Sequence, residues 1–346
     1  MPLAVTLLNP QSSILNPSMS TDFTPAWFLP GPHFQTVWGR IARPRRLVKL
    51  RREALTLPDG DELILDHLDG PKQGVHFVMM HGLEGSSQSV YIQGVLAAIA
   101  RHGYPATAMN FRSCARAPRS IFRMLPNRRP RFYHSGDTAD FDFVVGTLRE
   151  RMPDVKLVAF AASLGGNVLL KWLGEHPDQT SISAAATLSV PYDLGAGSRY
   201  LEKSVAGRFY VSRFLKTLKA KVMRADIATL LDIDRVRRTR TFWEFDDAAT
   251  APLHGFRDAG DYYSRSSSIN FLGRIRTPTL AVNAEDDPFL PPDALERARL
   301  AASPAIDFRT TPSGGHVGFV SGRAPWRCEY WGEELVVRWL LERATA

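Results

Sequence analysis

The sequence predicts an α/β protein in which helices flank a mostly parallel central sheet. Short apolar runs of the kind found in buried strands alternate with segments of helical periodicity, which is the pattern of successive β-α-β units. This alternation breaks off after Pro191, and the chain from Asp193 to about Ser266 is helical in pattern, basic and aromatic. We therefore expect one sheet whose order along the chain is interrupted by a helical cap insertion.

The predicted sheet begins with an antiparallel hairpin. Glu53–Pro58 and Glu62–His67 are strand-like, and the Pro-Asp-Gly-Asp sequence that joins them favours a tight turn. Strand-like and helical segments then alternate in this order: Val75–Met80, Tyr91–Arg101, Ala106–Phe111, Phe141–Arg151, Leu157–Ala162, Val168–Gly174 and Ser183–Val190. Two further strand-like runs begin at Thr279 and Ile306, after the helical stretch.

Three parts are expected along the chain. Residues 1–45 form an N-terminal arm, residues 46–192 and 267–346 form the α/β core, and residues 193–266 form the cap. A Pro-bounded apolar stretch in the arm predicts a segment laid across the body of the protein. The aromatic residues of the cap can pack it onto the sheet or line an acyl pocket, and caps commonly exclude water from a site.

The segment from Lys156 to Leu170 predicts a sharp turn between a strand and a helix, with a serine at its tip. The strand-like run ends at Ser163, and small residues, among them Ala161 and Gly165, surround that serine. Such a turn is strained at the serine and brings two backbones together, so its neighbours must be small. This is the pattern of a nucleophile elbow, although a serine in an ordinary β-α turn has a similar sequence.

Residues that could activate Ser163 follow it in the order that an elbow nucleophile requires. A serine hydroxyl needs a base to remove its proton and an acid to orient that base. One strand-like run ends in Asp286 and Asp287, and His316 lies in a glycine-rich loop after the next run. We assign Asp287 as the acid and His316 as the base, with Asp286 as the competing acid. A solvated acidic turn and a surface histidine are the alternatives.

A third segment predicts donors for the oxyanion of a tetrahedral intermediate. The apolar strand that begins at Val75 ends in His81 and Gly82. In hydrolases with a nucleophile elbow, one donor comes from such a loop and the other from the residue after the nucleophile. We therefore expect the backbone N–H groups of Leu83 and Leu164 to bind the oxyanion, and His81 to order the loop. A plain β-turn is the alternative for this loop.

Nine stretches of the chain carry a resemblance to a known family. They are PGPHFQTVWGR (30–40), HGLEGSSQSVYIQG (81–94), NFRSC (110–114), YHSGDTADF (133–141), ASLGGNVLLKWLGE (162–175), EFDDAATAPLHGF (244–256), DYYSRSSS (261–268), NAEDDPF (283–289) and GGHVGF (314–319). Through them the chain resembles α/β-hydrolases of the YheT-type branch, a group of predicted esterases and lipases, from about Pro25 onward. The resemblance implies an α/β-hydrolase fold and an ester-cleaving activity. It places the family's nucleophile, acid and base at Ser163, Asp287 and His316.

Three departures from the family pattern lie close to the predicted site. Ala161 stands where the elbow usually has a glycine, and Ser113 replaces the glycine of Asn-Phe-Arg-Gly-Cys. The stretch from Ala115 to Pro126 is longer than is typical. These departures concern local geometry and leave the implied reaction class unchanged.

The chain of 346 residues has a net charge of +8, and its arginines are clustered. The densest cluster runs from Arg112 to Arg131, with seven arginines and no acid. No nucleic-acid-binding motif accompanies it, so nucleic acid is not expected as a partner. Peripheral contact with an anionic membrane is one hypothesis, and a solvated or acid-paired arginine surface is the simpler interpretation.

Cysteine content and hydropathy favour a cytoplasmic protein. Cys114 and Cys328 are too few for a disulfide framework or a set of metal ligands. No apolar run approaches the ~18 residues of a membrane span. Residues 1–19 lack the basic start and the uninterrupted apolar run of a signal peptide.

These inferences predict a cytoplasmic serine hydrolase that cleaves carboxylic esters with short- to medium-chain acyl groups. We expect it to act through an acyl-enzyme, to need neither cofactor nor metal, and to have a small-molecule ester or a lipid as its partner. Two alternatives stay open. One is a lipase or phospholipase that acts at a membrane surface, and the other is a catalytically silent scaffold that binds a small ligand. The sequence specifies no oligomeric state.

Overall fold

Ten strands and thirteen α-helices make up the described part of the chain, which in this computed structural model comprises residues 22–118, 120 and 123–345. The strands are β1 (Arg51–Thr56), β2 (Glu62–Leu68), β3 (Val75–Met80), β4 (Ala106–Asn110), β5 (Lys156–Ala162), β6 (Ile182–Leu188), β7 (Thr279–Ala284), β8 (Ile306–Thr311), β9 (Val320–Ala324) and β10 (Arg327–Tyr330). The helices are α1 (Pro32–Ala42), α2 (Val90–His102), α3 (Ala139–Arg151), α4 (Leu164–Glu175), α5 (Leu194–Leu201), α6 (Val205–Val222), α7 (Ala225–Ala228), α8 (Ile233–Arg238), α9 (Phe242–Phe245), α10 (Ala251–Leu253), α11 (Ala259–Ser266), α12 (Ala294–Ala301) and α13 (Trp331–Thr345). None of the helices described has the length and apolar character needed to cross a membrane.

Eight strands form one sheet in the order β1-β2-β4-β3-β5-β6-β7-β8, and β9 pairs with β10 in a separate hairpin. The strands from β3 to β8 run parallel to one another, whereas β2 is antiparallel to both β1 and β4. The predicted mostly parallel sheet, with its N-terminal hairpin, is thus confirmed. Because parallel strands end at the same edge of a sheet, the residues that follow β3, β5, β6, β7 and β8 converge there.

The sheet separates two apolar clusters, as the alternation of side chains in β5 illustrates. Ala159 and Ala161 face a cluster that includes residues of α3 and α4. Val158 and Phe160 face the opposite cluster, which includes residues of α2 and α13. All four side chains are buried, so this strand is covered on both faces, as is usual for a parallel sheet.

Helices α5 to α11 lie between β6 and β7 in the chain and have an apolar cluster of their own. Val211 and Leu215 of α6, Val236 of α8 and Phe245 of α9 are buried in it. Phe132, from the connection between β4 and α3, joins the same cluster. We call residues 193–266 the helical segment; its core is distinct from the two clusters of the sheet.

Some boundaries differ from those that the sequence predicted. Helix α4 begins at Leu164, directly after Ser163, rather than at Val168, because the glycines between them hide the helical periodicity. The expected apolar segment near the N-terminus contains helix α1, which has a proline in its first turn. Residues 1–21 of the predicted arm lie outside the described residues. The β9–β10 hairpin and helix α13 had no counterpart among the sequence predictions.

The packing of Ala161 generates a testable prediction. Ala161 is fully buried in the same cluster as Leu164 and Val168. Ala161→Gly is expected to lower the free energy of unfolding by about 1 kcal/mol or less and to keep activity within roughly tenfold of wild type. Ala161→Val adds two methyl groups to a filled space, so it is expected to lower the free energy of unfolding by about 1–3 kcal/mol. Urea denaturation measures both changes, and a valine variant as stable as wild type would mean that the elbow is loosely packed.

Candidate active site

Ser163 occupies the turn between β5 and α4 in a backbone conformation that residues other than glycine rarely adopt. Its φ is 53° and its ψ is −126°, and holding a residue in such a conformation costs on the order of 1–3 kcal/mol. Small neighbours make the turn possible. A Cβ atom at Gly165 would lie 2.5 Å from the carbonyl oxygen of His81, and one at Gly166 would lie 2.6 Å from Val190. The turn therefore has the geometry of a nucleophile elbow.

The structure brings Ser163, His316 and Asp287 into one hydrogen-bonded chain. The Oγ of Ser163 lies 2.9 Å from Nε2 of His316, and Nδ1 of His316 lies 2.8 Å from Oδ2 of Asp287. The three residues follow β5, β8 and β7, at the edge where the parallel strands end. In this arrangement the imidazole can accept the hydroxyl proton while the carboxylate holds it in the Nδ1–H tautomer.

The two neighbouring acids, Asp286 and Asp287, take different positions. The Asp287 side chain is fully buried, and its Oδ1 accepts a hydrogen bond from the N–H of Phe289 at 2.9 Å. Asp286 instead accepts a hydrogen bond from the N–H of Gly315 at 2.8 Å, and burial raises the pKa of its carboxyl. Asp286 thus anchors the loop that carries His316, whereas Asp287 faces the imidazole itself.

The loop of His316 is also held from two other parts of the chain. Its own N–H donates to Oγ1 of Thr36 in α1 at 2.9 Å. The N–H of Val317 donates to Oγ of Ser189, which follows β6, at 2.9 Å. The Phe289 ring stacks on the imidazole with ring centroids 4.2 Å apart. His316 is therefore fixed at three points: its backbone N–H, its Nδ1 atom and one face of its ring.

The loop after β3 approaches Ser163 through a glycine. A Cβ atom at Gly82 would lie 2.9 Å from the Cβ of Ser163, so a larger residue would occupy the site. His81 donates from Nδ1 to the carbonyl oxygen of Gly82 at 2.7 Å, and its Nε2 accepts the N–H of Phe111 at 3.1 Å. Burial lowers the pKa of His81 to about 3. His81 is therefore neutral, and both of its ring nitrogens are used to order this loop.

The two amides expected to bind an oxyanion lie in segments that contact Ser163 or adjoin it. Leu164 is the first residue of α4, so its N–H has no acceptor within the helix, and the start of a helix favours negative charge. Leu83 follows Gly82 and packs against both the sheet cluster and the cluster of the helical segment. Donation from these two N–H groups to an oxyanion belongs to the proposal made below.

A buried ion pair joins the loop after β3 to helix α6. The ammonium group of Lys221 donates to the carboxylate of Glu84, the residue next to Leu83. The hydroxyl of Tyr133 accepts the N–H of Glu84 at 2.7 Å and donates to its carboxylate at 3.0 Å. Lys221 also lies 3.1 Å from the free thiol of Cys114, whose pKa burial raises to about 11. These contacts fix the conformation of the chain beside Leu83.

Asn167 of α4 is a structural residue of the site that sequence reasoning missed. It is fully buried, and its Nδ2 donates to the carbonyl oxygens of Ser135 and Ser266, each at 2.8 Å. Its Oδ1 accepts the N–H of Ser268 at 2.8 Å. Helix α4 is thereby tied to the segment before α3 and to the end of α11. The only local signal was a polar side chain within an apolar helical run.

The arginine-rich segment from residue 112 to residue 131 contains three arginines that pair with acids outside the segment. Its ion pairs are Arg112 with Asp59, Asp61 and Asp140, Arg128 with Glu62, and Arg131 with Asp137. Residues 119, 121 and 122 lie outside the described residues. The acid-paired interpretation therefore applies to these three arginines.

Comparison with known proteins assigns the chain to a family. The alpha/beta hydrolase fold family matches residues 75–322. "Putative esterase YheT" of Escherichia coli (strain K12) is 33% identical over 329 residues, which cover 93% of this chain and 94% of that protein. The chain belongs to the α/β-hydrolase family, in its YheT-type branch. By class, this α/β-hydrolase is a carboxylic ester hydrolase.

Two further matches agree with this assignment. "Phospholipase ABHD3" of Mus musculus is 28% identical to this α/β-hydrolase over 319 residues, which cover 86% of this chain and 75% of that protein. A solved structure of the esterase Pf2001 of Pyrococcus furiosus matches with a TM-score of 0.56 and 16% identity, over 87% of this chain and 97% of that chain. At this identity the structural likeness concerns the fold alone. The predicted family and fold class are confirmed.

The positions of the two acids predict a large difference between two matched variants. Asp287→Asn is expected to lower kcat by about 10⁴-fold, because asparagine favours the wrong imidazole tautomer. Asp286→Asn is expected to lower kcat by less than roughly tenfold, because the asparagine amide oxygen can still accept a hydrogen bond from the N–H of Gly315. Steady-state kinetics with a soluble ester measure both. The assignment of the acid would be wrong if Asp286→Asn were the crippling change.

The buried ion pair predicts that substitutions at two lysines of helix α6 will differ in their effect on the stability of the protein. Lys221→Met leaves the Glu84 carboxylate buried without its partner, and it is expected to lower the free energy of unfolding by about 3–5 kcal/mol. Lys216→Met is the matched control, because Lys216 is exposed and a surface change of this kind stays within about 0.5 kcal/mol. Urea denaturation compares them. Equal stability of the two variants would contradict a structural role for the pair.

Proposed function

We propose that this α/β-hydrolase cleaves carboxylic esters with short- to medium-chain acyl groups, through an acyl-enzyme on Ser163. The observation that carries the proposal is the unbroken hydrogen-bonded chain from Ser163 through His316 to Asp287. Ser163 lies on a strained strand-to-helix turn, which presents its hydroxyl at the edge of the sheet.

The first half of the proposed reaction forms the acyl-enzyme. Nε2 of His316 takes the hydroxyl proton as Oγ of Ser163 attacks the ester carbonyl. The N–H groups of Leu83 and Leu164 donate to the oxyanion of the tetrahedral intermediate. The protonated imidazole then gives its proton to the departing alkoxide, so the alcohol leaves and the acyl group stays on Oγ.

The second half returns the enzyme to its starting state. Nε2 of His316 takes a proton from a water molecule, which attacks the acyl carbonyl. The same two N–H groups donate to the second oxyanion. Collapse of this intermediate breaks the bond between the acyl carbon and Oγ, the imidazole returns the proton to Ser163, and the carboxylic acid leaves. No step draws on a cofactor or a metal ion.

Apolar side chains beside the triad support an acyl pocket. The ring of Tyr210 in α6 lies 5.0 Å from that of Phe289, which in turn stacks on His316. Phe214, one turn further along α6, and Leu83 pack on the same cluster of the helical segment. An acyl chain bound to Ser163 would find an apolar surface here, which favours a fatty or alkyl acyl group over a charged one.

We also infer that the chain is divided as the sequence predicts. Residues 193–266 act as a cap, residues 46–192 and 267–346 as the catalytic core, and residues 1–45 as an arm. The separate apolar core of the helical segment supports the cap. The free thiols of Cys114 and Cys328 support a cytoplasmic location, since thiols persist where disulfides are reduced.

A lipase or phospholipase acting at a membrane surface is the second candidate function. It is favoured by the mouse relative, which is named a phospholipase, and by the apolar surface next to the triad. Its substrates would be acylglycerols or phospholipids presented by a bilayer rather than esters in solution. The chemistry at Ser163 is the same in both cases.

An ester series with two forms of the protein tests the proposal. Wild type is expected to hydrolyse p-nitrophenyl acetate, butyrate and octanoate faster than the palmitate. Ser163→Ala is expected to stay folded and to lose roughly 10⁴-fold or more in kcat. Turnover by Ser163→Ala at a similar rate would contradict the mechanism. Cleavage restricted to long-chain esters in vesicles would favour the lipase, and a folded wild type without turnover would favour a silent scaffold.

A further inference from the structure

The outer side of helix α6 is basic and free of acids. The helix reads VAGRFYVSRFLKTLKAKV, with five Arg or Lys residues and no Asp or Glu. Its inner side carries Val211, Leu215 and Leu218, which are buried against the rest of the helical segment. A helix that packs on one side and is uniformly basic on the other is typical of proteins that bind anionic surfaces.

Large apolar side chains are exposed on the same side of this helix. Val205 is 77% exposed and Phe209 is 62% exposed, and their spacing of one turn places them next to each other. Phe34 of α1 is 57% exposed, and its neighbour His33 lies 3.1 Å from the hydroxyl of Tyr210 in α6. Apolar side chains of this size, placed together in water, indicate a surface that is covered in use.

Exposed cations of α6 and of the turn before it have no acidic partner within the described part of the chain. Lys203, Arg208, Arg213 and Lys216 are exposed, and none of them forms an ion pair with a carboxylate of the described residues. Arg208 and Lys219 donate to backbone carbonyl oxygens, which carry no net charge. Lys221 differs from them, because it pairs with the carboxylate of Glu84. Arg112, Arg128 and Arg131 differ from these exposed cations, because each of the three pairs with at least one carboxylate.

Helix α6 lies close to the catalytic triad. Tyr210 is adjacent to Phe209 in α6, and its ring contacts Phe289, which stacks on His316. A single aromatic ring thus separates α6 from the catalytic imidazole. A partner bound to the outer side of α6 would therefore lie near the triad.

We propose that these residues form a docking face for an anionic phospholipid bilayer. The docking face is defined by Phe34, Lys203, Val205, Arg208, Phe209, Arg213 and Lys216. Its apolar side chains enter the interface between headgroups and acyl chains, and its cations contact lipid phosphates. A free phosphate ion would satisfy the cations and leave Val205 and Phe209 in water, so the combined surface fits a bilayer. Docking would deliver lipid esters to Ser163, and this use of the docking face rests on the proposed function. The binding of the bilayer to the docking face does not rest on it.

Vesicle co-sedimentation of the full chain tests the docking face. Wild type is expected to bind phosphatidylcholine vesicles that contain phosphatidylglycerol and not vesicles of phosphatidylcholine alone. Binding should weaken sharply between low and physiological salt, where the Debye length falls to about 8 Å. Arg213→Glu with Lys216→Glu is expected to weaken binding at least roughly thirtyfold, since each cation near an anionic surface contributes about a factor of five. Val205→Ser with Phe209→Ser is expected to weaken it roughly tenfold or more.

A matched double variant controls for overall charge. Arg274→Glu with Arg276→Glu makes the same change in net charge at exposed positions just before β7, at the opposite edge of the sheet. It is expected to bind vesicles as wild type does, within roughly threefold. Equal losses in the two charge-reversed variants would overturn the docking face, and so would equal binding of wild type to neutral vesicles.

Two further outcomes distinguish bilayer docking from self-association and from the reaction at Ser163. Self-association of the chain without lipid, abolished by Arg213→Glu with Lys216→Glu in sedimentation velocity, would assign this face to a second copy and overturn the proposal. Hydrolysis of p-nitrophenyl butyrate is expected to stay within roughly threefold of wild type in all these variants. Normal hydrolysis without vesicle binding would overturn docking alone, and vesicle binding without hydrolysis would overturn only the proposed function.

Discussion

The backbone of Ser163 turns from strand into helix at φ 53° and ψ −126°, and the neighbouring segments are packed around this turn. The conformation costs on the order of 1–3 kcal/mol, so it persists only because the surroundings hold it. The N–H of Ser163 donates to the carbonyl oxygen of Leu188 in the next strand at 2.8 Å, and its carbonyl oxygen accepts the N–H of Asn167 at 3.1 Å. A Cβ atom at Gly82 would lie 2.9 Å from the Cβ of Ser163, and one at Gly165 would lie 2.5 Å from the carbonyl oxygen of His81, so a larger residue at either position would disturb the turn.

The helical segment is tied to this turn by two buried polar contacts. Asn167, in the helix that begins at the turn, holds the backbone at Ser266 and Ser268, where the segment rejoins the core. The pair between Lys221 and Glu84 holds the middle of the segment to the loop that approaches Ser163. Because breaking a buried ion pair is costly, the helical segment is expected to keep a fixed position relative to the turn at Ser163. Helix α6 is thereby held near the triad, where its Tyr210 ring contacts Phe289 beside His316.

The parts of the site that the sequence predicted have local signals, and the parts that it missed do not. The elbow is local, because strand, small residues and helix follow one another around Ser163. The order of Asp287 and His316 after it, each following a strand, is also readable from the chain. The role of Thr36, the hydrogen bonds of Asn167 and the acids that pair with Arg112 depend on residues distant in sequence, so composition alone suggested a charged surface where the fold forms ion pairs. The sequence favoured Asp287 over Asp286 because the Asp-Pro-Phe-Leu-Pro run resembles the acid turn of related hydrolases, whereas the direction of each carboxylate is a property of the fold.

We propose that Ser163 is the nucleophile, and covalent trapping can distinguish it from the other serines of the chain. A fluorophosphonate reacts with a serine that an adjacent base activates, and it leaves a stable adduct on that oxygen. Incubation of the full chain with this reagent, followed by intact mass and peptide mapping, is expected to give one adduct per chain on Ser163. His316→Ala, which removes the base, is expected to react at least roughly a thousandfold more slowly. An adduct on another residue, or labelling of Ser163→Ala to the same extent, would contradict the account.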